Sequence, residues 1–158
     1  MKQTIIAVIC FLCVSSLYIQ AQKINHPSLL YTSQRIQQVK QRMQHEPKLQ
    51  EAWGDIKKTA DKALQKKDFN RLDYLSLAYL MTDNKEYADA IKEILLKAVE
   101  AESWGDVEMM ARIPAWRSQL GMAHKSFLSA VGYDAAYNVM SSSERKKIAE
   151  GLKRLAVE

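Results

Sequence analysis

Cysteine is almost absent from this sequence, and the little there is cannot staple a fold. The two cysteines, Cys10 and Cys13, both fall in the first 13 of 158 residues. They sit inside a short basic start (Lys2), an apolar run from Ile5 to Ile19 and a Gln20-Ala21-Gln22 boundary. This is the layout of a secretory signal peptide with cleavage after Ala21, so residues 1–21 are expected to be removed and the protein to be periplasmic or secreted. The apolar run is shorter than the roughly 20 residues a span requires, so no membrane span is expected after cleavage. Neither cysteine follows a small residue, unlike a lipoprotein signal. Residues 22–158 then carry no thiol, which excludes disulfides, thiolate zinc sites and Cys–His catalysis.

Other scarcities narrow the field further. With five glycines there is no phosphate-binding glycine loop. The three histidines, His26, His45 and His124, show no metal-ligand spacing, and the carboxylates are scattered, so neither a metal nor a cofactor is expected. The formal charge of +5, reduced by one when Lys2 leaves, is spread among mixed signs. That balance allows a weak attraction to polyanions but demands no nucleic acid.

What is present has helical period nearly throughout. Thr32 or Ser33 caps a first helix with Ile36, Val39 and Met43 inward. Pro47 opens a second, where its missing N–H costs nothing, with Leu49, Trp53, Ile56, Ala60 and Ala63 as its stripe. Leu72 to Leu80 is apolar nearly all round and reads as a buried helix, stopped at Thr82-Asp83-Asn84 before a partner helix. Glu102 to Arg117 has no period, holds Gly105 and Pro114, and reads as a loop of about 15 residues, a length that in compact domains is usually functional or disordered. Leu120, Ala123, Phe127, Ala130 and Val131 read as the inward face of the next helix. A Ser141-to-Glu144 capping box opens the last, whose period still runs at Ala156. The predicted fold class is all-α: three antiparallel helix pairs in one domain over residues 22–158, read as a fragment of a larger domain.

Three segments, in this order, resemble heparinase II/III-type polysaccharide lyases: "HPSLLYTSQRIQQVKQRM", "LAYLMTDNKEYADAIKEILLKAV" and "LGMAHKSFLSAVGYDAAYNVMSSSERKKIAEGL". The resemblance implies the first part of an incomplete (α/α) toroid, in a protein that acts on a uronic-acid-containing polysaccharide by β-elimination. It also implies an Asn in an Asn-Trp segment that neutralises the carboxylate, with Tyr and His moving the C5 proton. No Asn-Trp pair occurs in this sequence, so no catalytic residue is assigned and those groups are expected beyond Glu158. The pattern departs from the family at Ala135, often Trp, and at His124, often a carboxylate.

Candidate substrate-binding residues are Trp104, Trp116 and Arg117. The tryptophans suit sugar faces and the arginine a sugar carboxylate, held on a long loop at one end of the array. The bland alternative is that Trp116 anchors the long loop to the helix ends and Arg117 caps nearby. Tyr133, Asp134 and Tyr137 are expected to be structural, with Asp134 accepting hydrogen bonds. His124 reads as a partly buried helical histidine rather than a base. Two other classes stay open: a helical-repeat binding module, which needs self-similarity at a fixed period, and an (α/α) toroid glycoside hydrolase, whose loop carboxylates would be Asp106 and Glu108.

Overall fold

The computed structural model describes residues 24–116 and 119–156. The expected signal segment, 1–21, and Arg117 lie outside the described residues. Among the latter there are seven α-helices and no strand: α1 (Ser33–Met43), α2 (Pro47–Lys66), α3 (Leu72–Thr82), α4 (Lys85–Ala98), α5 (Val107–Met110), α6 (Leu120–Ala136) and α7 (Ser142–Ala156). One-turn 3₁₀ segments at Phe69–Arg71 and Tyr137–Val139 link α2 to α3 and α6 to α7.

The boundaries follow local chemistry. Thr32 accepts the Arg35 N–H to begin α1, and Pro47 occupies the first turn of α2. Helix α3 ends where Asp83 takes a left-handed conformation (φ 55°), a C-terminal geometry that short polar side chains tolerate. Asn84 then accepts the Glu86 N–H and restarts the chain as α4. At α7 the Glu144 N–H donates to Ser141 Oγ while the Glu144 carboxylate takes the Ser141 N–H, a reciprocal capping box.

Helix α3 is the hub. It packs against α1, α2, α4 and α6, so its nearly uniform apolarity is used on several sides at once. Leu72, Leu75 and Ala78 are fully buried there, joined by Ile91 and Leu95 of α4, Leu128 of α6 and Ile148 of α7. Each large aliphatic side chain so enclosed contributes about 1.5–3 kcal/mol relative to exposure. The buried Ser76 hydroxyl donates back to the Leu72 carbonyl, so this polar atom stays satisfied without leaving the helix.

Two sequence expectations need correction. The inward face of α6 is Leu128, Val131, Gly132 and Ala135, not the stripe headed by Leu120 and Phe127, which are 88% and 51% exposed. Small residues decide this: an added Cβ at Gly132 would stand 3.3 Å from both Ile91 and Leu72 side chains, so α6 approaches α3 and α4 through its small positions. The loop after α4 also contains α5, a single turn too short to show a period. Asp106 caps it, accepting from the Glu108 and Met109 N–H groups.

Candidate functional site

Short connections make α2, α3 and α4 run back along one another, so α2 and α4 end on the same side of the array. Both carry lysine in their last turn, Lys66 and Lys97, where a cation complements the partial negative charge of the helix terminus. The chain past α2 adds Lys67, and α6 begins on this same side and adds Lys125. Together they border an open groove of about 670 Å3. Four lysines face one carboxylate there, Glu93.

The groove is only partly neutralised. Lys67 forms an ion pair with Glu93, and the Lys125 ammonium donates at 3.4 Å to the Trp104 carbonyl. Lys66 and Lys97 have no ion-pair partner among the described residues. Ile94, Ala98 and Ala101 make the wall apolar, and Phe69 and Trp104 meet edge to face with centroids 6.2 Å apart. The arrangement sets lysine ammonium groups beside an apolar and aromatic wall. It suits a ligand that combines anionic groups with apolar faces.

Of the sequence-predicted binding residues, Trp104 and Trp116 do not meet in the groove, and Arg117 lies outside the described residues. Trp104 lines the groove but is only 6% exposed. Its indole N–H donates to the Ala98 carbonyl at 3.3 Å, closing the end of α4. It is therefore a wall and an anchor, and its face is not an open stacking platform: the apolar ring is worth more against Phe69 and the core than in water. Trp116 is 49% exposed and lies outside the groove lining, with the Arg112 guanidinium 5.6 Å from its ring centre. The loop between them is tied down by Gln119, which accepts the Asp106 N–H at 2.8 Å and donates to the Trp116 carbonyl at 2.7 Å. Asp106 is occupied as a helix cap. His124 is exposed on α6 rather than partly buried.

The expected structural trio reaches two partners: the Tyr133 hydroxyl donates to the Arg145 carbonyl of α7 at 3.4 Å, whereas Asp134 holds the segment before α1. Asp134, 3% exposed, takes N–H groups from Ser28 and Leu29 at 2.8 Å each and meets His26 Nδ1 at 2.5 Å. The His26 ring stacks on Tyr137 at 3.8 Å, and Asn138 donates to the His26 carbonyl. Arg145 covers Tyr137, 4.7 Å from the ring centre. Burial acts to raise the Asp134 pKa, but the Leu29 N–H, the His26 ring and the Ser28 N–H outweigh it and hold the carboxyl below its ordinary value.

The lysines of the groove were the residues sequence reasoning passed over. Each reads by itself as part of a solvated helix face, and their convergence comes from helix ends far apart in the chain. No group of His, Cys, Asp or Glu suited to a metal occurs among the described residues, and no described helix is long and apolar enough to cross a membrane. The fold and groove thus define an all-helical protein with a lysine-bordered cleft at one end. No protein-family model, curated protein or solved structure matched the chain.

Proposed function

We propose that the chain is the N-terminal part of a secreted or periplasmic polysaccharide lyase of the heparinase II/III type, and that its groove engages an acidic, uronate-containing polysaccharide. The observation that carries this reading is the excess of lysine over carboxylate around a groove with an aromatic and apolar base. A polyanionic sugar chain presents carboxylates to such cations and the C–H faces of its rings to the half-buried Phe69 and the apolar wall beside it. The resemblance of three segments in order supports the family, and the all-helical array supports the first turns of an (α/α) toroid. Exposed apolar side chains at Val107, Ile113, Leu120 and Phe127 support it further, since additional helices of a toroid would cover them. On this reading the chain binds and positions. The elimination chemistry belongs to residues this sequence does not contain, because it has no Asn-Trp segment.

The test is binding of the purified chain to a uronate-containing polysaccharide and to a neutral one of similar length, at two salt concentrations. The acidic polymer should bind, more weakly at high salt, and the double substitution Lys66→Glu, Lys97→Glu should abolish the preference. Equal binding of both polymers, or an unchanged preference in the variant, would overturn the reading.

A further inference from the structure

A second cleft lies away from the lysine groove, where the segment before α1 crosses α2 and α3. It has a volume of about 220 Å3 and is lined by Tyr31, Ile56, Asp73, Tyr74 and Leu77. Its character is the opposite of the groove's. The one charged side chain lining it is a carboxylate, and no lysine or arginine borders it. Asp73 Oδ1 is buried and has no hydrogen-bond partner within the protein. A buried carboxylate oxygen left without a donor is costly, and native structures rarely keep one unless something else supplies the proton or charge.

The neighbours define what would suit that oxygen. The Tyr31 hydroxyl is held protonated, its pKa raised first by burial and then by the Asp73 charge and by Tyr74. Tyr31 and Tyr74 contribute aromatic rings, whose faces attract cations. The Tyr74 ring already carries the Arg71 guanidinium 5.5 Å from its centre, although Arg71 is not among the residues lining the cleft. Ile56 and Leu77 supply an apolar wall. A water molecule would satisfy the oxygen but leave the wall and the ring faces unused, and at about 30 Å3 per water the space is several waters large.

We infer that this cleft is a binding site for a small primary ammonium compound with a short apolar body, its N–H donating to Asp73 Oδ1 and its carbons lying against Ile56, Leu77 and the tyrosine rings. The unpartnered oxygen selects a donor, the absence of lining cations permits a positive charge, and the apolar wall favours an alkyl group over a hydrated metal ion. The site is independent of the polysaccharide reading, since no residue is shared between the two clefts.

The experiment is an NMR titration of the full chain with n-butylammonium, following the amides of Tyr31 and of Leu72 to Leu77. The alcohol n-butanol matches its shape without the charge, and butyltrimethylammonium matches its charge without an N–H donor. Saturable shifts at millimolar n-butylammonium are expected, with both comparison compounds weaker by about tenfold or more, because a charge-assisted hydrogen bond is what they lack. Asp73→Asn should weaken n-butylammonium by a similar factor while the far-UV spectrum is kept. No saturable shift, or equal binding of n-butanol, would overturn the inference, as would an Asp73→Asn protein that folds and binds undiminished. Should that variant not fold, the comparison of amine with alcohol on the unaltered protein still decides.

Discussion

Replacing Asp134 by alanine is expected to release the segment before α1 and to cost about 2–3 kcal/mol of stability. Hydrogen bonds to a charged group are worth about 1.5–3 kcal/mol each, and the carboxylate accepts the N–H and the hydroxyl of Ser28 and the N–H of Leu29 and meets the His26 ring. Simple addition would overshoot, because Ser28 and Leu29 are exposed and their freed N–H groups regain water. What is lost beyond the bonds is the seating of His26 on Tyr137. For a chain of this size such a loss lowers Tm by about 5–10 °C. Thermal and urea unfolding followed by far-UV circular dichroism measure the cost, and amide exchange at Ser28 and Leu29 locates it. Asp134→Asn, which keeps the shape and one acceptor, should fall between the variant and the native chain. A change under about 0.5 kcal/mol, the level of an indifferent surface substitution, would refute the reasoning, and so would unchanged exchange at both amides.

Acid should act on the same contact. The folded pKa of Asp134 lies below the unfolded one, so its contribution is fully present above the unfolded value of about 3.9 and fades as pH falls through the folded value; the native chain should therefore lose more stability than Asp134→Asn on acidification below pH ~4, read from unfolding midpoints. Gly151→Ala should destabilise by about 1–3 kcal/mol through overpacking, because the new Cβ would lie 2.4 Å from Val99 Cβ; adding Val99→Ala should restore part of the loss, and no restoration would count against the packing account. Leu75→Ala, a fully buried position, should cost about 2–5 kcal/mol in the same unfolding assay. The purified chain should generate no ultraviolet absorbance from unsaturated uronate products when mixed with acidic polysaccharides; a steady rise would show that the elimination groups are here after all.

How legible the fold was depended on which signals were local. The stop at Asp83-Asn84, proline in the first turn of α2 and the Ser141–Glu144 box each act within a few residues, so the sequence displays them directly. The apolar α3 read correctly as buried because Leu, Ala and Met dominate its sides, and its fully buried polar side chain, Ser76, is satisfied within the helix. Helix α6 failed for a physical reason. A reading by hydrophobicity follows large side chains such as Leu120 and Phe127, whereas close helix approach is set by what is small, here Gly132 and Ala135. Helix α5 was invisible because four residues complete barely one turn. The candidate groove escaped for another reason: its lysines come from the ends of α2 and α4 and the start of α6, and only the packing directions bring them together. Trp104 was located on the right loop, but composition cannot say whether a loop tryptophan turns outward or closes a helix end.

The fastening of His26, Ser28 and Leu29 to Asp134 joins residues more than 100 positions apart. A chain emerging from its N-terminus presents those first residues early, yet the carboxylate that receives them arrives only when α6 has been made. Until then the leading segment has no seat, and the Asp134 carboxylate in turn has no donors until α6 meets that segment. The contact between the leading segment and α6 therefore cannot form before both have been made. A cut in the backbone between Leu29 and α1 would not at once free the leading peptide, since it would still be held through the side chain of a residue at the opposite end of the sequence.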